Sequence, residues 1–334
     1  MKICIYTIAK NEEDNVHRFM NGASEADVVV ILDTGSTDKT IQEFKKYDNI
    51  IIKQKIIDPW RFDTARNEAL KLVPEDIDVC ISIDLDESMV PGWRTALEAE
   101  WKPDTIIGSY WYHSIVDEDN EPVIECWRTK IHSRHDFRWE RPIHEMIVTD
   151  KKEGGQAFVK GVVVKHHRKH PSDYEEYLTK FIKDNPGNIE SYIQRAGDRV
   201  DKGKLVEANE DYLKYLELTN NINDKDFKTV VDRAICCLCI AKNHYHINQD
   251  LSLVQKFMLQ SVAEFPNYRD GWVYLAEFYS GVGDFAMSYG CAMKALSITE
   301  NHGYVVESKC WGDYPKQLVN IAVKQIFNRY GGKK

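Results

Sequence analysis

The chain has 334 residues, 43% of them hydrophobic, and a formal net charge of −9. This is more chain than one ordinary domain holds, with apolar material for two cores. The acidic balance disfavours a dedicated nucleic-acid binder, and no run of about twenty apolar residues is present to span a bilayer.

Elements follow from periodicity. Lys2 to Ala9 reads as a buried strand, since Lys10-Asn11-Glu12-Glu13 cuts it off too early for a secretory signal. Glu12 to Ser24 carries Val16, Phe19, Met20 and Ala23 at helical spacing, and Ala26 to Leu32 is a second strand. A helix over Asp38–Tyr47, a strand over Ile50–Ile57, a helix over Thr64–Val73 and a strand over Ile77–Ile83 follow. This alternation predicts a mainly parallel, Rossmann-like sheet whose ligands lie beyond the carboxyl ends of its strands. From Thr105 to His167, strands rich in Trp, Tyr, Val and Ile alternate with polar turns, predicting mixed or antiparallel additions.

After Pro171 the texture is helical. Pro186 precedes Tyr192 by six residues, and Pro266 precedes Trp272 by the same distance. Each pair is followed by small residues and a turn glycine, Gly203 and Gly283, in the manner of tetratricopeptide repeats. Asp226–His246 and Asp250–Phe265 read as a further helix pair. Residues 1–170 are thus expected to form an α/β domain and 171–334 an all-α helical-repeat domain. The eight cysteines lack zinc-finger spacing, and Cys236, Cys237 and Cys239 sit in an apolar stretch, as reduced thiols of a cytoplasmic protein would.

Chemistry gathers after the strands. Ile81-Ser82-Ile83-Asp84-Leu85-Asp86-Glu87 delivers three carboxylates in four residues, with Asp84 and Asp86 on one side of an extended chain. Such carboxylates repel one another unless a cation neutralises them, and Mg2+ or Mn2+ shared with phosphates suits that need. A solvated acidic turn is the plainer alternative. Asp33 ends the second strand, and Gly35 permits a tight turn. Ser36 to Asp38 then open a helix whose free N–H groups suit an anion. Arg66, near the start of the third helix, can pair with phosphate or orient a carboxylate.

In this order and spacing, these residues resemble family 2 glycosyltransferases of the GT-A fold. Ile8-Ala9-Lys10-Asn11-Glu12-Glu13 looks like that family's opening strand and turn. Asp33-Thr34-Gly35-Ser36-Thr37-Asp38-Lys39-Thr40 is similar to its second element. Phe62-Asp63 with Ala65-Arg66-Asn67 is typical of one branch, and Asp84-Leu85-Asp86-Glu87 looks like its metal-binding motif. The resemblance covers roughly residues 1–170; the remainder is similar to the branch that appends tetratricopeptide-like helices.

The resemblance implies an inverting transferase taking a sugar from a UDP-sugar. Its donor site would draw on Ala9, Asn11, Glu12, Asp33, Ser36, Asp63, Arg66, Asn67, Asp84 and Leu85. Asp86 would ligate Mn2+ or Mg2+, and a late histidine, His166 or His167, would complete the metal shell, His166 being taken first. Glu145 is the first choice of general base and His144 the second, with Glu140 an outside candidate. The acceptor could be a peptide or protein, a glycan, or a hydroxymethylated DNA base as in phage DNA modification. No Gln-x-x-Arg-Trp element follows the acidic motifs, which argues against processive polymer synthesis. A homo-oligomer is compatible with the sequence. The competing expectation is a helical-repeat interaction protein with an inactive first domain. A nucleotidyltransferase shares the two-carboxylate logic, but no Gly-rich basic loop follows the first strand.

Overall fold

The computed structural model describes residues 1–119, 121–143, 145–167, 174–223, 225–248, 250–301 and 305–330. The chain divides into two compact units, Met1–Arg168 and Lys169–Lys334.

The first unit begins with β1 (Ile3–Ala9), α1 (Val16–Gly22), β2 (Val28–Asp33), α2 (Thr40–Phe44), β3 (Ile50–Gln54), α3 (Phe62–Leu70) and β4 (Val79–Ser82). It continues with β5 (Glu87–Met89), α4 (Trp93–Glu100), β6 (Thr105–Val116), β7 (Pro122–Ser133), β8 (Phe137–Glu140), β9 (Met146–Thr149) and β10 (Gly155–His166). The main sheet runs β3-β2-β1-β4-β7-β6-β10-β5, and β8 and β9 form a separate hairpin. The β1–β2, β1–β4 and β2–β3 pairs are parallel, as the βαβ alternation predicts, and β7 runs antiparallel to both β4 and β6.

Central strands are buried on both faces because each face meets its own layer. Ile3, Ile5, Val29 and Ile31 join Phe19, Phe44 and Trp93 in one cluster, while Cys4, Tyr6, Val30 and Leu32 join Leu70 and Trp139 in the other.

Two of the expected helices are shorter than their periodicity suggests. The helix expected over 12–24 starts at Val16, because Asn11 adopts φ 57° and Asn15 N–H bonds Glu12 O in a turn. The helix expected from Asp38 starts at Thr40, because the Asp38 carboxylate accepts from the Thr40 N–H and hydroxyl. α3 begins two residues ahead of expectation, with Asp63 accepting from Thr64 N–H in its first turn. Neither β5 nor α4 was foreseen. The acidic run before β5 reads as a strand terminus, and β5 is a three-residue strand.

The second unit comprises α5 (Glu175–Asp184), α6 (Glu190–Asp201), α7 (Leu205–Asn220), α8 (Phe227–Asn248), α9 (Leu251–Glu264), α10 (Arg269–Gly281), α11 (Phe285–Ser297), α12 (Ser308–Trp311) and α13 (Tyr314–Tyr330). α6 packs on α7, α8 on α9 and α10 on α11. Gly203 and Gly283, at φ 73° and 79°, turn the chain between the helices of two such pairs, in the left-handed region open to glycine. The proline-to-aromatic spacing has a direct cause: Tyr192 Oη donates to Pro186 O at 3.3 Å, and Trp272 Nε1 to Pro266 O at 2.9 Å. Among the described residues no helix is long and apolar enough to cross a membrane.

Candidate active site

The carboxyl ends of β1, β2 and β4 lie side by side because the strands are parallel and in register, with Ala9 opposite Asp33 and Tyr6 opposite Ser82. The loops they launch carry most of the residues singled out from sequence.

Behind β1 and β2 two turns are laced together. Asn11 N–H donates to Ser36 Oγ at 2.9 Å, Thr37 N–H to Asn11 Oδ1 at 2.7 Å, and Glu12 N–H to Thr40 Oγ1 at 2.7 Å. Thr34 donates through both N–H and hydroxyl to Ala9 O. Asp33 is fully buried, and its Oδ2 accepts from Gly35 N, Ser36 N and Gln54 Nε2 at 3.1–3.2 Å. Its carboxylate therefore shapes this turn.

Beyond β4 lies a buried charge cluster. The Arg66 side chain, 4% exposed, donates through Nη2 to Asp84 Oδ1 at 2.6 Å, through Nη1 to Ser82 Oγ at 3.2 Å, and through Nε to Glu145 Oε1. Lys130 Nζ reaches Asp84 Oδ2 at 3.1 Å. Burial alone would raise the Asp84 carboxyl, but Arg66 and Lys130 outweigh it and hold it well below the usual carboxylate range. Glu145 is likewise pushed up by burial and pulled lower by Arg66 and then Lys130, ending below its ordinary value. Glu87 moves the other way: burial raises it, and its Oε2 accepts from Asp84 N–H at 2.8 Å.

Asp86 meets a residue from the far end of the unit. His166 Nε2 is 3.0 Å from Asp86 Oδ2, a contact across 80 residues of chain. His166 sits opposite Glu87 in the antiparallel β10–β5 pair, which sets this approach. Its Nδ1 lies 3.3 Å from Ser114 O, so Nδ1 bears a proton and Nε2 is the nitrogen free to act as a ligand once deprotonated. Burial opposes charge on this ring, but the Asp86 carboxylate overcomes it and raises the pKa. The ring stacks on Tyr112, and the Arg128 guanidinium carbon stands 4.6 Å from the centroid of the same tyrosine. His167 N–H also bonds Asp86 O, at 2.7 Å, but its ring turns to Ser88, with Nε2 2.7 Å from Ser88 Oγ, and burial holds its pKa down at about 4.

The other anticipated residues take supporting places. Asp63 receives Arg61 through Nε at 3.0 Å and Nη2 at 2.6 Å. Leu85 is buried at 3% exposure. Both ends of the Asn67 amide hold the Trp139 backbone, Nδ2 to O and Oδ1 from N, each at 2.8 Å. Glu140 pairs with Arg138 on the exposed face of the hairpin. His144 lies outside the described residues. Sequence reasoning passed over Lys130 and Ser82. The available signal was a lysine in a strand otherwise buried at that end, where it needs a carboxylate partner; Lys130 is 9% exposed.

Residues 4–151 match the model of the family described as Glycosyl transferase family 2. This segment is a family 2 glycosyltransferase domain. Its match spans the β1 and β2 turns, Arg66, the Asp84–Glu87 run and Glu145, and stops short of His166. No curated protein matches the chain. Among solved structures, it is similar to MamA (16% identity, TM-score 0.33, covering 47% of this chain and 89% of that one). It is also similar to pilF of Pseudomonas aeruginosa (10% identity, TM-score 0.34, covering 48% and 68%).

Two side chains of metal-ligating type, Asp86 and His166, meet beside the glycosyltransferase domain's acidic run. Asp86 offers a carboxylate, the donor that Mg2+ and Mn2+ prefer, and His166 an imidazole nitrogen, which suits these hard cations less well. Among the described residues no group of three or more His, Cys, Asp and Glu side chains is placed to hold a metal. The remaining positions of a cation there would fall to phosphate and water oxygens, the usual arrangement for Mg2+ with nucleotides.

Proposed function

We propose that this chain is an inverting glycosyltransferase that moves a sugar from a UDP-sugar to a hydroxyl or similar nucleophile, with Mn2+ or Mg2+ at Asp86 and His166. What carries the reading is the meeting of Asp86 and His166 at 3.0 Å beside the Arg66–Asp84–Glu145 cluster. When bound, the cation neutralises charge developing on the leaving diphosphate.

The protein's own groups supply the rest. The turns around Asn11, Asp33 and Ser36, with Ala9 and Glu12 bracing them, form the nucleotide end of the donor site. Asp84, fixed by Arg66 and Lys130, orients the donor sugar. Glu145 stays ionised near neutral pH and takes the proton of the acceptor as its oxygen attacks the anomeric carbon. The bond from that carbon to the diphosphate breaks on the opposite face, so the centre inverts. His144 is the second choice of base. Asn67 and Asp63 act by holding α3 and the hairpin in place. The acceptor is a peptide or protein, a glycan, or a hydroxymethylated DNA base.

The test is UDP release from a panel of UDP-sugars, with Mn2+ and with EDTA, comparing wild type and Asp86→Ala. Release from one donor that needs metal and falls more than about a hundredfold in the variant is expected, since even outer-shell losses cost metal sites 10–100-fold. Release indifferent to both EDTA and the substitution would remove the metal assignment. Absence of release and of nucleotide binding for every donor would sink the reading and favour an interaction protein.

A further inference from the structure

A buried polar chain lies beneath the charge cluster. Trp139 Nε1 donates to Tyr6 Oη at 2.8 Å, and Tyr6 Oη lies 2.8 Å from His132 Nε2. His132 Nδ1 is 2.8 Å from Ser133 O. A carbonyl oxygen can only accept, so Nδ1 carries the imidazole proton, Nε2 accepts, and the Tyr6 hydroxyl donates to it. Burial holds this ring neutral, with its pKa pushed down to about 4, so the same tautomer persists across ordinary working pH. The hydrogen bonds therefore run in one direction, from indole to hydroxyl to imidazole to carbonyl.

The three side chains are almost inaccessible, with Tyr6 and His132 at 0% and Trp139 at 2% exposure. They come from β1, β7 and β8, so the chain ties the small hairpin to the central sheet. That hairpin presents Glu145: Glu140 pairs with Met146, the residue after it. The Trp139 ring also lies under the Arg66 guanidinium, 5.1 Å from ring centroid to its carbon. Tyr6 is the register partner of Ser82, which accepts from Arg66. Phe62 N–H bonds Pro142 O at 3.1 Å, closing α3 onto the hairpin loop. The chain thus touches the support of both members of the Arg66–Glu145 pair. Apolar side chains of similar shape could fill this space without needing partners, whereas a fully paired polar chain fixes one geometry.

We propose that Trp139, Tyr6 and His132 are positioning residues that hold the Arg66–Glu145 pair in register for proton removal from the acceptor. The proposal rests on the glycosyl-transfer reading above. Tyr6→Phe deletes the central hydroxyl, and Trp139→Phe deletes the first donor while leaving the Tyr6–His132 bond. In both, kcat for transfer should fall about tenfold or more, as expected for a small misplacement of a reacting group, with donor KM changed by less than about twofold. Loosening the Arg66 partnership that lowers Glu145 should also move the acid limb of the kcat–pH profile upward. Hydrogen exchange should accelerate across residues 137–149 while β1 and β2 keep their protection.

An unchanged kcat and acid limb in both variants would overturn the proposal, and so would exchange that rises evenly through the whole unit. The exchange arm needs no turnover. A wild type that transfers no sugar would therefore refute the functional reading, while unaltered hairpin exchange in Tyr6→Phe would separately refute the positioning one.

Discussion

Two aspartates, one in each unit, are driven in opposite directions. Asp84 at the end of β4 is pressed upward by burial but receives Arg66 and Lys130, which hold it ionised. Asp270 at the start of α10 accepts from two neutral donors, Trp311 Nε1 at 2.8 Å and Glu307 N–H at 2.7 Å, and burial lifts it to about 7. The arginines differ in the same way. Arg66 is forked between two carboxylates from different segments, at a strand end where Asp84 is still 34% exposed. Arg233 on α8 closes on Glu264 and on Leu216 O and Thr219 Oγ1 of α7, stitching helices together. Burial of charge is common to both units. What marks the first as a site is that its charges compete for partners and open toward solvent beyond a parallel sheet.

That contrast can be broken most forcefully at Arg66. Arg66→Ala should abolish UDP release and cost about 3 kcal/mol in denaturant unfolding, because Asp84 and Glu145 are left against each other with only Lys130 nearby. Arg66→Lys should retain most of the stability but lose activity, since an ammonium cannot reproduce the fork. Arg233→Ala should cost about 1.5–3 kcal/mol from its charged hydrogen bonds and leave UDP release per folded molecule unchanged. Loss of activity there, with the fold intact, would erase the distinction drawn between the units.

The aspartates sharpen it through pH. Asp270 has a folded pKa of about 7 against an ordinary 3.8, so between those values the folded unit keeps a proton that the unfolded chain releases. Its contribution is complete below about pH 4 and is lost as pH rises through 7, so the melting temperature of the helical unit should fall over that window. Asp270→Asn should flatten the slope, and a slope identical to wild type would assign it elsewhere. The smallest effect belongs to a surface cluster, in which Lys55 and Lys71 bracket Glu68 and hold its carboxyl down at about 2. Glu68→Gln should change unfolding free energy by less than about 1 kcal/mol, because solvent and salt screen such pairs.

Much of the fold was legible in the residues. Apolar runs at Lys2–Ala9, Ala26–Leu32, Ile50–Ile57 and Ile77–Ile83 foretold β1 to β4 and their parallel order. The proline-to-aromatic spacings foretold helical pairs, and the pair expected over 226–246 and 250–265 stands as α8 and α9. The helix ends were misjudged at Asn11–Asn15 and Asp38, where side chains and backbone form local turns that compete with helical hydrogen bonding. β5 could not be read because three strand residues are too few to show a period, and the eight residues of α4 span little more than two turns. At the candidate site, Asp84, Asp86 and Arg66 stood out by residue type and place, and Glu145 through the family resemblance. Lys130 did not: its place at the apolar end of a strand signals a need for a carboxylate partner, but not that the partner is Asp84, 46 residues away.

By itself, then, the sequence determined the alternation of elements, the placing of carboxylates at strand ends and the helical character of the second half. These follow from periods of two and 3.6 residues, which are written within a few turns of chain. Only the tertiary structure decided that Arg66 joins Asp84 to Glu145, that His166 and not its neighbour faces Asp86, and that Tyr6, His132 and Trp139 share one hydrogen-bonded chain. Each of those depends on the register of strands distant in sequence, and a shift of one residue in β10 would have turned His166 away from Asp86.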